Sequence, residues 1–384
     1  MQETEVIIVG AGPAGIATAA CLTVHSVPHI ILERDDCVAP LWQKYAYDRL
    51  HLHLGKAFSE LPHMPFPSWY PTYLSKDLFV QYMTTFTSHF RIAPLLSRNV
   101  EEAAFDEDSG RWVVKVRNVE SGCGEMYSSR FLVVASGNYC DPFVPEVEGL
   151  LGFGGEVMHS TKYKNGEPFR GRKVLVVGSG NSGMEIALDL ANHGVNTSIV
   201  IRGKVHVLSR WVANLAVSMF KYLRVSVVDW AAVLLSKLEY GDLSKYGIYR
   251  HKEGPFTMGR KYGKFPVVDV GTIHKIKSGQ IQVLPGVKRI QGNEVLFHNG
   301  KSYAFDAIIF CTGFKPSTTK WFKEDEYYSL NKDGTSKPGL PFYWKGKNGL
   351  YCHGYCNGVA RSGLRRIKTD AQDIAQDIKS LLGN

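Results

Sequence analysis

Several things are missing from this chain, and each absence removes a class of function. Its seven cysteines contain no Cys-x-x-Cys, so a redox-active dithiol has no candidate. An odd count without framework spacing also points away from a disulfide-stapled secreted fold and toward a reducing compartment, the cytoplasm. No apolar run is long enough to span a membrane. The most apolar stretch, residues 211–238, is broken by Lys221, Arg224 and Asp229 and is expected to form helices packed at a domain surface. No basic run exists either: the net charge of +9 comes from dispersed Lys and Arg, which gives nucleic acid no footprint and suits anionic small molecules. No Cys/His group has metal-ligand spacing, no catalytic triad is visible, and no signal or transit segment precedes the first apolar strand.

What is present is glycine in two special places. Gly10-Ala11-Gly12-Pro13-Ala14-Gly15 follows the apolar run Val6-Ile7-Ile8-Val9, and Gly178-Ser179-Gly180-Asn181-Ser182-Gly183 follows Val174-Leu175-Val176-Val177. Each reads as a buried parallel strand, a tight turn and a helix whose N-terminus faces a diphosphate. A lone G-x-G-x-x-G is weak. Here each copy is also followed by a second strand at the expected distance. That strand ends in Glu33 in the first copy, an acceptor for ribose hydroxyls that suits the adenosine half of FAD. In the second copy it ends in Arg202, which can pair with a 2′-phosphate and so selects NADPH. Two dinucleotide sites in one chain imply a flavoprotein reduced by a nicotinamide.

The 384 residues, 44% hydrophobic and 21% charged, are enough for two or three domains with sizeable cores. Residues 112–116 and 126–127 read as a small antiparallel excursion around a turn at 121–124. The segments 131–137 and 305–313 are near copies: each is a buried strand leaving through small residues, as in an internal duplication of a nucleotide-binding unit. Leu350 to Gly354 reads as a last strand. Ile367, Ala371, Ile374, Ile378 and Leu381 lie on one face of a C-terminal helix. The fold class is α/β with two Rossmann-like domains: a discontinuous FAD-binding domain (1–165 and 315–384) interrupted by an NADPH-binding domain (166–314).

Between the fingerprints, Phe153-Gly154-Gly155-Glu156-Val157-Met158-His159-Ser160-Thr161-Lys162-Tyr163 fits F-x-G-x-x-x-H-x-x-x-[FY], the pattern that marks flavin-containing monooxygenases and related N-hydroxylases. Residues 41–54 (Leu41-Trp42-Gln43 through Leu52-His53-Leu54), 241–247, Gly254-Pro255, 266–272 and Trp344-Lys345-Gly346 then resemble the plant YUCCA flavin monooxygenases over nearly the entire chain. That resemblance implies NADPH- and O2-dependent oxidative decarboxylation of indole-3-pyruvate to the auxin indole-3-acetic acid, through a flavin C4a-(hydro)peroxide. The chain departs from the wider family in three places. His53 stands where amine- and sulfide-oxidising members have an Asn near the flavin. The turn after the first duplicated strand is Ala135-Ser136-Gly137 rather than Ala-Thr-Gly. Arg365, Arg366, Ile367 and Lys368 follow Gly363-Leu364, where small residues are usual, and the turn from Tyr355 to Ala360 is longer.

With the flavin carrying the chemistry, no side-chain nucleophile is required. Leu41, Trp42 and His53 are expected on the FAD side and His159 at a domain interface. Lys56, Arg49 and Arg365 are candidate cations for a 2-oxo acid carboxylate, and Trp42, Phe58, Trp69 and Trp211 candidates for an apolar wall. Two other functions stay open at this point: N- or S-oxygenation in specialised metabolism, and a redox-sensing flavoprotein that releases H2O2.

Overall fold

The computed structural model describes residues 1–137, 141–315, 317–322, 344–353 and 363–383. The chain divides into two compact units, the first made of Met1–Lys44, Gly55–Asp141 and Phe314–Asn384, the second of Tyr45–Leu54 and Pro142–Gly313.

The first unit is built on β1 (Gln2–Val9), whose Val6, Ile7 and Ile8 have no exposed surface. A strand apolar on both faces belongs in the middle of a covered sheet. It pairs in parallel with β2 (His29–Leu32) on one side. The crossover between them is α1 (Pro13–Val24), buried without a break from Ala14 to Leu22. A helix so closely enclosed needs the small Ala and Gly side chains this one has. An antiparallel excursion follows: β3 (Arg98–Asp106), β4 (Arg111–Asn118) and β5 (Gly124–Val134). Strand β5 then runs parallel to β1, giving the order β2-β1-β5-β4-β3. The helix α2 (Lys76–His89) is capped by the Ser75 hydroxyl, which accepts from the Leu78 N–H at 3.3 Å, and buries Phe79, Tyr82, Met83 and Phe86.

The second unit repeats the arrangement. Strands β6 (Glu156–His159), β7 (Lys173–Val177) and β8 (Asn196–Val200), the last two joined by α3 (Asn181–Asn192), are followed by α4 (Arg210–Met219), α5 (Val225–Tyr240), β9 (Ile281–Leu284) and β10 (Ala307–Phe310). The sheet is parallel throughout, in the order β9-β8-β7-β10-β6. The apolar stretch at 211–238 supplies α4 and α5. Among the described residues no helix is long and apolar enough to cross a membrane.

The chain returns to the first unit through β11 (Leu350–Cys352), parallel to β5, and α6 (Leu364–Leu382), which packs on α1. Of the expected apolar face of α6, Ala371, Ile374 and Ile378 are buried, while Leu381 is exposed near the helix end. The lengthened turn from Tyr355 to Ala360, and Gly354, lie outside the described residues.

Two boundaries differ from the sequence expectation of 1–165 for the first domain. Residues 142–165 group with the second unit because β6 is hydrogen-bonded along β10. The short strap Tyr45–Leu54 groups there too. Its Tyr47 lies in the same core as Val174 and Val176 of β7 and Met184 of α3, and its backbone exchanges hydrogen bonds with Lys164.

Candidate functional site

Three glycines of the first fingerprint are glycine for two distinct reasons. Gly10 has φ +108°, and a Cβ there would lie 2.7 Å from the Ala135 carbonyl oxygen. A Cβ on Gly15 would overlap the Gly10 carbonyl oxygen. Both are demanded by the protein itself. Gly12, the N-cap of α1, has an ordinary extended backbone, and a Cβ built on it meets nothing within 4 Å. Its missing side chain leaves a cradle in front of the helix N-terminus, the place a diphosphate takes. Beside it lies Glu33, 6% exposed. One carboxylate oxygen accepts from the Ala11 N–H at 2.6 Å and the other from the Asp35 N–H at 2.9 Å. Burial raises the pKa of this carboxyl, and the two N–H donors oppose that. The Ala11 carbonyl in turn accepts from Ala39 N–H, which brings the short helix Pro40–Gln43, with Leu41 and Trp42, toward the fingerprint. Trp42 packs on Phe79 of α2 with ring centroids 4.5 Å apart.

The second fingerprint repeats the geometry. Gly178 has φ +120°, and a Cβ there would overlap the Cys311 carbonyl oxygen. A Cβ on Gly183 would overlap that of Gly178, and one on Gly180 meets nothing within 4 Å. Asn181 is used structurally, its Oδ1 accepting from Val268 N–H at 2.9 Å. Arg202 is exposed just beyond β8, its stem near the backbone of Gly286. A cavity of about 230 Å³ opens at this cradle, lined by Ser179, Gly180, Lys204, His251, Lys264 and Phe265 among others. Neither Lys204 nor Lys264 has a hydrogen-bond or ion-pair partner among the described residues. Two uncompensated ammonium groups beside a helix N-terminus fit an anionic ligand. Sequence reading found Arg202 and missed these two, because Lys264 reaches the cradle from a loop far along the chain.

The other expected site residues are divided between the two units. His53 falls in the second unit. Its Nε2 donates to Glu185 of α3 at 2.5 Å. Arg49 is half-buried in the same strap. Lys56 donates from Nζ to the carbonyls of Ser68 (2.8 Å) and Tyr70 (2.6 Å), so its charge already secures a loop. Arg365 has its guanidinium 6.0 Å from the centre of the Phe58 ring, Arg366 pairs with Asp370 at 2.7 Å, and Lys368 lies 3.7 Å from Glu60. Arg365, Arg366 and Lys368 thus each have a packing or pairing partner in the first unit. Trp69 and Trp211 are 71% and 50% exposed. His159 is buried inside the second unit. Its Nε2 donates to the Gly313 carbonyl at 3.0 Å, while Nδ1 accepts from Thr161 N–H. Burial lowers its pKa, so the ring is a neutral clamp between the ends of β6 and β10.

The flavin-binding monooxygenase-like family matches residues 3–333. Among curated proteins, the probable indole-3-pyruvate monooxygenase YUCCA10 of Arabidopsis thaliana is 48% identical over 382 residues, covering 99% of this chain and 98% of its own. The indole-3-pyruvate monooxygenases YUCCA4 of Oryza sativa subsp. japonica and YUCCA6 of Arabidopsis thaliana are each 44% identical, over 97% of this chain and 86% and 89% of theirs. Among solved structures, a flavin-containing monooxygenase from Stenotrophomonas maltophilia superposes with a TM-score of 0.74 at 19% identity over the whole of both chains. A caprolactone-bound cyclohexanone monooxygenase gives 0.77 at 16% identity, covering 100% of this chain and 89% of that one. At such identities the structures share the fold.

Proposed function

The chain belongs to the flavin-binding monooxygenase-like family, and on that premise we propose that it oxidatively decarboxylates indole-3-pyruvate to indole-3-acetate, the reaction for which its curated relatives are named. FAD and NADPH are the cofactors of the family. We assign FAD to the cradle at Gly12 and Glu33 and NADPH to the cradle at Gly180 and Arg202. The observation that carries this assignment is the pair of cradles: at each, the one glycine that the protein's own packing does not require faces the helix N-terminus. The balance is indole-3-pyruvate, O2, NADPH and a proton giving indole-3-acetate, CO2, NADP+ and water. With both cofactors bound, the chemistry supplied is hydride transfer between them and activation of O2.

What the residues do is hold and sort. The first turns of α1 and α3 present free N–H groups and positive dipole ends to the two diphosphates. Glu33 would accept from ribose hydroxyls while anchored by Ala11 and Asp35. Arg202, with Lys204 and Lys264 nearby, supplies the positive charge that a 2′-phosphate requires. The substrate is a small 2-oxo acid. The reaction belongs in the cytoplasm, a reading supported by the free thiols of Cys21, Cys37, Cys123, Cys311 and Cys352.

Aerobic turnover of the FAD-loaded protein with NADPH and indole-3-pyruvate, with products followed by mass spectrometry and H2O2 by a coupled assay, tests this. Indole-3-acetate close to one-to-one with NADPH oxidised is the expected result. NADPH oxidation yielding only H2O2 would overturn the substrate while leaving the cofactors.

A further inference from the structure

The second cradle has a neighbour that the fingerprint does not account for. Glu185 lies one turn into α3, two residues past Gly183, and is 1% exposed. A carboxylate taken that far from water costs several kcal/mol unless it is paired. Its Oε1 accepts from Nε2 of His53 at 2.5 Å, and its Oε2 has no hydrogen-bond partner among the described residues. The partner arrives from far off in sequence, on the strap Tyr45–Leu54. A carboxylate has no proton to give, so Nε2 carries the hydrogen and Nδ1 is the ring atom left for other work. The side chain of His53 keeps a quarter of its surface exposed, unlike the carboxylate that holds it. Tyr47 of the strap feels the charge of Glu185, and Ser182 of α3 and Arg49 of the strap in turn act on Tyr47. Tyr47 is buried, and its pKa is raised well above the usual value by that burial and by the charge of Glu185.

Helix geometry places the pair relative to the cradle. At about 1.5 Å rise per residue, Glu185 stands roughly 6 Å along α3 from Asn181, the first helical residue. A dinucleotide held on the second cradle rests its pyrophosphate on that first turn. The carboxylate that holds the imidazole thus stands one helical turn in from that contact. We propose that Glu185 is a positioning residue for His53: it anchors Nε2 so that Nδ1 is offered to the nicotinamide dinucleotide on the second cradle. The inference rests on the assignment of NADPH to that cradle, and it goes beyond it by giving the strap a binding role.

The test is a double-mutant cycle on the dissociation constant of NADP+, measured by titration calorimetry on the FAD-loaded protein without any 2-oxo acid. Glu185→Gln keeps the shape and an acceptor oxygen but removes the charge. His53→Gln keeps a donor for the carboxylate but removes the ring. Each single variant should weaken NADP+ about tenfold, the scale of one charge-assisted hydrogen bond. The double variant should be no weaker than about tenfold, because both changes remove the same contact. Multiplying losses of about a hundredfold would overturn the proposal, since Glu185 would then not act through His53. So would unchanged NADP+ affinity accompanied only by a lowered melting temperature, the signature of a merely structural pair. If Glu185→Gln fails to retain flavin, Glu185→Asp, which keeps the charge and shortens the reach, takes its place with the same expectation. A wild-type protein that binds FAD but no NADP+ would remove the cradle assignment, and the inference with it.

Discussion

Gly12 and Gly15 are separated by two residues and answer to different masters. Gly15 is required by its own carbonyl neighbour at Gly10, so Gly15→Ala forces the turn apart whether or not a cofactor is present. We expect it to destabilise the flavin-free protein by about 3 kcal/mol, as overpacking against rigid backbone does, read from thermal unfolding. Gly12→Ala meets no protein atom. The flavin-free protein should unfold within about 1 kcal/mol of wild type, while the flavin absorbance of the purified variant disappears. Loss of stability without loss of flavin would invert the assignment. Charge follows the same logic at the second cradle. Arg202→Ala should raise the Michaelis constant for NADPH at least about tenfold and that for NADH little. Equal effects on the two would mean that Arg202 does not meet the 2′-phosphate.

At the scale of elements, α1, β11 and α6 are clipped together by one imidazole. His353, fully buried just after β11, has Nδ1 2.8 Å from the Thr18 hydroxyl of α1, and its Nε2 donates to the Ile367 carbonyl of α6 at 3.1 Å. Burial pulls its pKa down to about 4, against roughly 6.5 in an unfolded chain. Between those values the unfolded state binds the extra proton, so stability falls as pH drops through that window and is fully retained above it. The loss by pH 4 is about 3 kcal/mol from this group. Chemical denaturation of wild type and His353→Gln at pH 7 and pH 4.5 should show the variant losing markedly less than wild type over that interval; equal losses would mean that His353 takes up its proton alike in the folded and unfolded states. Nothing in the sequence singled out His353 or Thr18, because a buried polar pair is visible only once two distant elements touch. The strands with continuous Val and Ile runs were legible, as was the apolar face of α6 through Ala371, Ile374 and Ile378. The strand β3 was not: Arg98-Asn99-Val100-Glu101-Glu102 reads as a polar segment, and its pairing comes from β4. The strap was misplaced for a similar reason. Residues 45–54 lie inside the first sequence half, and their place shows only in distant contacts: Tyr47 in the core with Val174 and Met184, the hydrogen bonds with Lys164, and His53 on Glu185.

For the molecule as a whole, each unit carries its own complete cradle, and the chain crosses between the units four times, after Lys44, Leu54, Asp141 and Gly313. A ligand that binds only the folded form stabilises what it touches by RT ln(1 + [L]/Kd), about 2.7 kcal/mol at a hundredfold excess over Kd. The two cofactors should therefore protect different sets of backbone amides from hydrogen exchange. Adding NADP+ to the FAD-loaded protein should slow exchange in residues 178–190 and, because the strap is fastened to α3 through His53 and Glu185, in residues 45–54 as well. Residues 10–22, already covered by flavin, should change little. Returning FAD to stripped protein should protect 10–22 and 33–42 first. Protection of 10–22 by NADP+ in the stripped protein would exchange the two assignments. Protection of 178–190 without the strap would leave the cradles where they are and detach residues 45–54 from nucleotide binding. A strap fastened to a helix of its own unit that lies far along the chain then has a measurable consequence: its exchange rate reports occupancy of a site whose fingerprint lies more than a hundred residues away.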